Sequence, residues 1–150
     1  MKQRWLLLAL LLWPARAIAA DLTTLQQVLL RHGFRIEMRQ PPGRAYGRFI
    51  PSQKLLEISP LVRDLGITRP VLLHEAVHAA QSCPEGRLTP LKLQRQSSPV
   101  VESRIRYLLS HHYSQEHQLL EQEAFRLQSQ PDAEALIIAA LNQRCPGPEH

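Results

Sequence analysis

The sequence predicts an α+β domain, rich in helix, with a small and largely antiparallel sheet, and three observations support this class. The chain has 150 residues, which suits one compact domain and leaves little room for two. Before residue 60, apolar and polar residues alternate over short stretches, which is the period of a half-buried strand. After residue 68, apolar residues recur every three or four positions, which is the period of a helix.

The first nineteen residues have the three parts of a secretory signal peptide. Lys2 and Arg4 precede an apolar run over residues 5–13, and small residues follow up to Ala19. That run is about half the roughly 20 residues that a transmembrane helix needs. We therefore expect cleavage after Ala19 or one residue later, a secreted or periplasmic protein that begins near residue 20, and no stable membrane anchor.

Most of the net positive charge belongs to that segment. The full chain has 18 Lys and Arg against 13 Asp and Glu, a formal net charge of +5. Removing residues 1–19 removes Lys2, Arg4 and Arg16, so the mature chain has a charge of +2. This small excess gives no reason to expect a nucleic-acid partner.

The chain has two cysteines, Cys83 and Cys145, and an exported protein meets an oxidising compartment. Only one intramolecular pairing exists for them, so we predict a disulfide. Closing so long a loop contributes about 4 kcal/mol in the chain-entropy model.

Local patterns predict the elements in order. A helix is expected over 21–33 because Asp21 or Thr24 can cap it and Gly33 can end it. The alternating stretches predict strands over 34–38, 46–50 and 54–59.

Helices dominate the second half of the chain. Thr68 offers an N-cap and Pro70 an early helical position for a helix that stops before Pro84. A long loop is expected over 84–99 because it contains Gly and several Pro. Helical spacing returns over 100–128, with a break around 110–114, and again over 131–144.

The helix over 68–81 carries the residues that point to chemistry. His74 and His78 are four positions apart and share one face, the spacing at which two imidazoles bind one metal ion. Glu75 lies about 100° further round, where a carboxylate can take a proton from a metal-bound water. His-Glu-x-x-His is therefore read as a zinc hydrolase motif. Every other residue over 71–80 is Val, Leu or Ala, so burial of these polar groups would cost several kcal/mol unless a dication bound them.

Catalytic zinc takes three protein ligands, so a third must come from another element. The candidates are Glu121, Glu123 and His117 in the helical stretch before residue 128. On a helical wheel Glu123 falls among leucines, whereas Glu121 falls among glutamines. A carboxylate among leucines needs an ionic partner more, which favours Glu123.

These residues resemble the gluzincins, zinc metallopeptidases that have His-Glu-x-x-His on one helix and a ligand Glu on a later one. Several such families read Glu-x-x-Ala-Asp on the later helix, and that register over 121–125 would make Glu121 the ligand. Others read Glu-Gly-Phe, which would choose Glu123. Phe125 stands where the first pattern has an Asp that supports a ligand histidine, so both glutamates remain candidates.

The resemblance implies a small zincin-like fold and a secreted zinc-dependent peptidase whose partner is a peptide or protein substrate. Zn²⁺ held by His74, His78 and one glutamate would polarise a water, and Glu75 would pass the proton of that water to the leaving amine. The resemblance also implies that the strand over 54–59 borders the cleft and pairs with an extended peptide.

The sequence leaves open the oxyanion donor and the choice among alternative functions. An oxyanion donor is expected near the Glu helix, and the sequence does not choose among five candidates: Tyr107, His111, His112, Tyr113 and His117. The alternative functions are a catalytically inactive zinc-binding module with an interaction or inhibitory role, and a metal-free helical domain held by its disulfide. Glu75 argues against the inactive module, because metal binding alone does not need it.

Overall fold

The computed structural model describes the backbone of residues 17–147, and the side chains from residue 23 onward except that of residue 116. The predicted signal segment, residues 1–19, lies outside the described residues apart from the backbone of its last three. Six helices and three strands follow in the order α1 Ala17–Arg31, β1 Arg35–Met38, β2 Gly47–Ile50, β3 Leu55–Ile58, α2 Leu61–Asp64, α3 Thr68–Gln81, α4 Pro99–His112, α5 Gln115–Gln128 and α6 Ala133–Arg144. The predicted helix-rich α+β class is confirmed. Within the described range, no helix has both the length and the apolar character needed to cross a bilayer.

The sheet is mixed, which corrects the expectation of a largely antiparallel one. The strand order is β1-β3-β2, with β2 antiparallel to β3 and β1 parallel to it. A short turn at 51–53 joins β2 to β3 as neighbours, whereas residues 39–46 carry the chain from β1 to the far edge. β3 therefore lies between β1 and β2 and runs parallel to β1.

The central position of β3 also corrects the prediction that residues 54–59 pair with a substrate. All four residues of β3 are buried, and both of its edges already have a partner strand. A strand with no free edge cannot add an extended peptide. The strand that lies against α3 at the sheet edge is β2.

Helix α3 passes through the middle of the domain, as its apolar composition predicted. Every residue from 72 to 81 is buried, and the helix packs on β2, β3, α5 and α6. Ala76, Ala79 and Ala80 are completely buried. Small side chains at a helix contact let the partner backbone come closer, so this helix is closely surrounded.

The predicted disulfide is present and joins the ends of two helices. The sulfur atoms of Cys83 and Cys145 are 2.09 Å apart, so the bridge links the segment after α3 to the end of α6. The guanidinium of Arg144 donates hydrogen bonds to the carbonyl oxygens of Cys83 and Pro90, at 3.0 and 2.9 Å. The first part of the loop that follows α3 is thus fixed to the C-terminal end of α6.

A candidate metal centre

Three side chains from α3 and α5 meet at one point. Nε2 of His74 lies 3.0 Å from one carboxylate oxygen of Glu121, and Nε2 of His78 lies 3.4 Å from the other. The two Nε2 atoms are 3.1 Å apart. Ligand atoms at 2.0–2.1 Å from a tetrahedral ion are about 3.3 Å from one another, so the three groups have the separations of a preformed site.

The other ring nitrogen of each histidine has a glutamine oxygen as its partner. Nδ1 of His74 lies 2.7 Å from Oε1 of Gln128, and Nδ1 of His78 lies 2.8 Å from Oε1 of Gln81. An amide oxygen only accepts hydrogen bonds, so each Nδ1 carries the proton and donates. Each neutral ring then has its lone pair on Nε2, directed towards the centre, and this lone pair can hold either a proton that is donated to Glu121 or a metal ion.

The orientation of the Gln81 amide follows from its remaining contacts. Its Nε2 donates to the carbonyl oxygen of Leu120 at 3.2 Å and to the carboxylate of Glu123 at 2.8 Å. Both of those groups only accept hydrogen bonds, so the amide oxygen must face His78. Because Gln81 is completely buried, these contacts fix the ring of His78 as well.

Charges at the centre are consistent with a site for a cation. Burial raises the pKa of Glu121, but the hydrogen bonds of His74 and His78 outweigh burial and lower it to about 2. Burial lowers the pKa of His78, and the hydrogen bond and charge of Glu121 reverse this, so its pKa is raised. The anionic carboxylate therefore attracts positive charge, either a proton or a metal ion, to this point.

Glu75 lies beside the three groups and lines the same cavity. This cavity has a volume of about 260 Å³, and Glu75, His74, His78 and Glu121 are all part of its wall. Burial raises the pKa of Glu75, although the neighbouring histidines oppose this and the backbone N–H of Phe49 donates a hydrogen bond to the carboxylate. A carboxylate with a raised pKa is well suited to exchange protons near neutral pH.

Gly47 in β2 makes room for Glu75. A Cβ atom at this position would lie 2.6 Å from a carboxylate oxygen of Glu75 and 2.8 Å from a side-chain methyl of Val71. Neither distance is possible without displacing a side chain, so the close approach of β2 to α3 depends on glycine. Sequence reasoning did not identify this role, because it depends on the packing of two distant elements.

The structure corrects the preference for Glu123 as the third ligand. Its carboxylate accepts hydrogen bonds from Gln81 and from the backbone N–H groups of Leu91 and Lys92, each at 2.8 Å. One of the leucines beside Glu123 on the helical wheel is Leu119, and it is 69% exposed, so it does not mark the buried side of α5. Glu121 and Gln128, seven residues apart on one face of α5, are the side chains that reach His74.

His117, the remaining ligand candidate, does not join the group. It is exposed, and its Nδ1 lies 3.1 Å from the hydroxyl of Ser114 at the start of its own helix. The ring of Phe125 packs on that of His74 at 4.5 Å. The partner of Nδ1 of His74 is Gln128, one turn further along α5.

Among the five oxyanion candidates, Tyr113 is the one that lines the same cavity as His74, His78 and Glu121. Burial, together with the negative charges of Glu121 and Glu75, raises the pKa of Tyr113 to about 12. Its hydroxyl therefore keeps its proton at neutral pH and remains a donor. His112 lines a neighbouring cavity, whereas Tyr107 and His111 are exposed and stack on each other.

Sequence reasoning missed Gln81 and Gln128, although helical spacing contains a signal for both. Gln81 is three positions after His78 on α3, and Gln128 is seven positions after Glu121 on α5. Each glutamine therefore shares a helix face with a metal-ligand candidate. An amide at such a position is a reasonable partner for the second nitrogen of a histidine.

Comparison with known families gives a match over the second half of the chain. The model of a family described as a domain of unknown function, DUF8637, matches residues 63–145. This range is more than half of the chain, so the protein belongs to that family. It includes His74, His78, Glu121 and both cysteines, but not the three strands. No curated protein and no solved structure matched the chain.

Proposed function

We propose that this member of the DUF8637 family is an exported zinc-dependent peptidase of the gluzincin type. The observation that carries the proposal is that His74, His78 and Glu121 converge beside the buried carboxylate of Glu75 in one cavity. A metal site without catalysis would not need Glu75 there. The disulfide of a small domain is compatible with export.

Zinc is the metal that best suits these donors. Two imidazole nitrogens and one carboxylate are a common set in catalytic zinc sites, which keep a fourth position for water or substrate. Zinc bound there would act as a Lewis acid towards a substrate carbonyl and an attacking water. The Nδ1 hydrogen bonds to Gln81 and Gln128 would keep both ligand rings in position.

Glu75 is the proposed general base and acid. It takes a proton from the attacking water and passes it to the nitrogen of the leaving amine, so that the carbon–nitrogen bond breaks and the carboxylate is restored. Its raised pKa helps it to hold the proton between these two steps. The hydrogen bond from the Phe49 backbone and the contact with Gly47 restrict where the carboxylate can move.

Tyr113 is the proposed donor to the developing oxyanion. Its protonated hydroxyl belongs to the same cavity as Glu75, and a neutral phenol can donate a hydrogen bond as negative charge grows on the carbonyl oxygen.

The test compares metal content and hydrolysis in the same purified proteins. The wild type is expected to bind one zinc per chain and to hydrolyse an unfolded protein substrate until a chelator removes the metal. Glu75→Gln should retain zinc and lose hydrolysis, whereas His78→Ala should lose both. Glu85→Gln, an exposed residue away from the cavity, is the matched control and should resemble the wild type.

One result would end the peptidase proposal. If Glu75→Gln hydrolyses the substrate as fast as the wild type, then the cavity does not catalyse this reaction in the way we propose. If the wild type binds zinc at His74 and His78 but hydrolyses nothing, the inactive zinc-binding module becomes the better description.

A further inference from the structure

A second, larger cavity adjoins the metal centre. It has a volume of about 880 Å³ and shares Gly47, His74, Glu75 and Tyr113 with the smaller cavity. A substrate whose scissile bond lies over Glu75 would therefore extend into it. Much of its wall is apolar, from Ala45, Ile67, Pro70, Val71, Leu108 and Phe125. Such a wall favours an apolar side chain.

The charged groups on this wall are mostly positive. Arg44 and Arg104 line the cavity. Glu75 is the one carboxylate among the described residues that line it, and it already belongs to the proposed catalytic group. The rest of the wall therefore has no negative charge to balance the two guanidinium groups.

Neither arginine has a carboxylate partner in the part of the chain that the structure describes. Arg104 lies over the ring of Tyr107, at 5.8 Å from its centre. Other arginines near the site are paired: Arg48 with Glu57, Arg69 with Glu134 and Arg126 with Glu102. The two that face the larger cavity are thus left free to bind an anion from outside the protein.

We propose that this cavity selects peptides in which an apolar side chain lies close to a carboxylate. The apolar wall holds the side chain, and Arg44 and Arg104 attract the carboxylate, which is either an Asp or Glu side chain or the C-terminus of the peptide. This inference deepens the proposed peptidase function and rests on it.

The test measures kcat/KM on matched peptides with one scissile bond next to a leucine. One set carries Glu, Gln or Lys within two residues of that leucine, and a second set has either a free or an amidated C-terminus at the same distance. We expect Glu to exceed Gln by about fivefold, since an exposed ion pair contributes up to about 1 kcal/mol, and Lys to be the poorest. A preference for the free C-terminus alone would identify the peptide end as the source of the carboxylate.

Substitution of the arginines shows whether they cause this preference. Arg44→Gln and Arg104→Gln should each reduce the ratio of Glu to Gln peptide, and the double variant should bring it close to one. Arg63→Gln is the matched control, because Arg63 is exposed on α2 and lines neither cavity. High salt should reduce the preference of the wild type, since surface charges are screened.

Three outcomes decide the matter. A preference for carboxylates that both arginine variants weaken and the control retains supports the inference. Equal hydrolysis of the acidic, neutral and basic peptides overturns the inference and leaves the proposed peptidase function standing. Hydrolysis of no peptide and of no unfolded protein overturns the proposed function, and this inference with it.

Discussion

Glu57 and Glu121 are both largely shielded from solvent, and their partners differ in kind. Glu57 in β3 is 2% exposed and accepts hydrogen bonds from the guanidinium groups of Arg39 and Arg48. Glu121 in α5 lies instead against the Nε2 atoms of His74 and His78. Both carboxylates have a lowered pKa, so the direction of the shift does not distinguish them.

The chemistry of the partner does distinguish them. Arginine is charged at every relevant pH, so the cluster around Glu57 is balanced by the protein alone. The imidazoles at Glu121 direct lone pairs inward, because each Nδ1 donates to a glutamine oxygen. That centre has the donors to hold a cation from solution, whereas the sheet cluster does not. Burial of an acidic group thus indicates a ligand site only when its partners are also metal donors.

The sharpest test of this contrast makes the same substitution in both places. Glu121→Gln should lower zinc affinity by more than about 100-fold, because even changes outside the ligand set cost about 10-fold to 100-fold. Glu57→Gln should leave zinc affinity unchanged and lower the thermal midpoint of unfolding, because it removes the charge that two arginines share. Zinc titration and thermal denaturation of both variants measure the two effects. Equal zinc affinities would contradict the assignment of Glu121.

A second test concerns the residue beside the centre rather than a ligand. Tyr113→Phe should lower kcat about 100-fold with little change in KM or zinc content, since an oxyanion donor acts mainly in the transition state. Tyr107→Phe is the control, because Tyr107 is exposed and lines neither cavity. Steady-state kinetics on a single peptide separates kcat from KM. A Tyr113→Phe variant with unchanged kcat would remove this residue from the mechanism.

Glu123 contacts a partner of the metal centre without contacting either histidine. Its carboxylate links Gln81, the partner of His78, to the backbone of Leu91 and Lys92 in the loop after α3. Glu123→Gln should therefore lower zinc affinity about tenfold, through loss of the order of the His78 ring, and should expose the loop to proteolysis. Glu85→Gln, in the same loop but exposed, should change neither property. Unchanged zinc affinity would limit Glu123 to holding the loop.

The smallest expected effect is the pH dependence of the sheet cluster. Burial raises the pKa of Glu57, but the hydrogen bonds and charges of Arg39 and Arg48 outweigh burial. The pKa of Glu57 is therefore below its usual value. A group with a lowered folded-state pKa stabilises the fold above its unfolded pKa and loses this contribution as the pH falls through the folded value. Unfolding curves of the wild type should show this loss in acid. The stability of Glu57→Gln should fall less steeply in acid than that of the wild type. If both proteins lose stability equally in acid, Glu57 is not the cause of the loss.

The sequence predicted α3 well because its signals are local. Pro70 and Pro84 bracket the element, and the histidine spacing places two imidazoles on one face whatever the rest of the fold does. The predicted N-cap was wrong by one position, because Thr68 is the first helical residue and Ile67 is the N-cap. The disulfide followed from the presence of just two cysteines and an expected oxidising compartment. Such predictions need no knowledge of distant contacts.

The topology of the sheet and the identity of the third ligand were harder to predict, because they depend on contacts between residues far apart in the sequence. The parallel pairing of β1 with β3 depends on the path of residues 39–46, which carry no periodic signal. The choice between Glu121 and Glu123 depends on which side of α5 faces α3. The helical wheel placed Leu119 on the buried side, but this residue is exposed. One helix turn holds both carboxylates, so an error of this kind exchanges a ligand for its neighbour.

Gly47 differs in kind from the glycines at turns. Gly33 and Gly66 have φ values of +81° and +67°, so any side chain there strains the backbone. Gly47 has no such φ value, and a larger residue would fit its backbone while pressing on Glu75. In a saturation library sorted for folding alone, replacements at position 47 would be partly depleted, because a side chain there also presses on Val71. Sorting the same library for turnover would leave glycine nearly alone at that position.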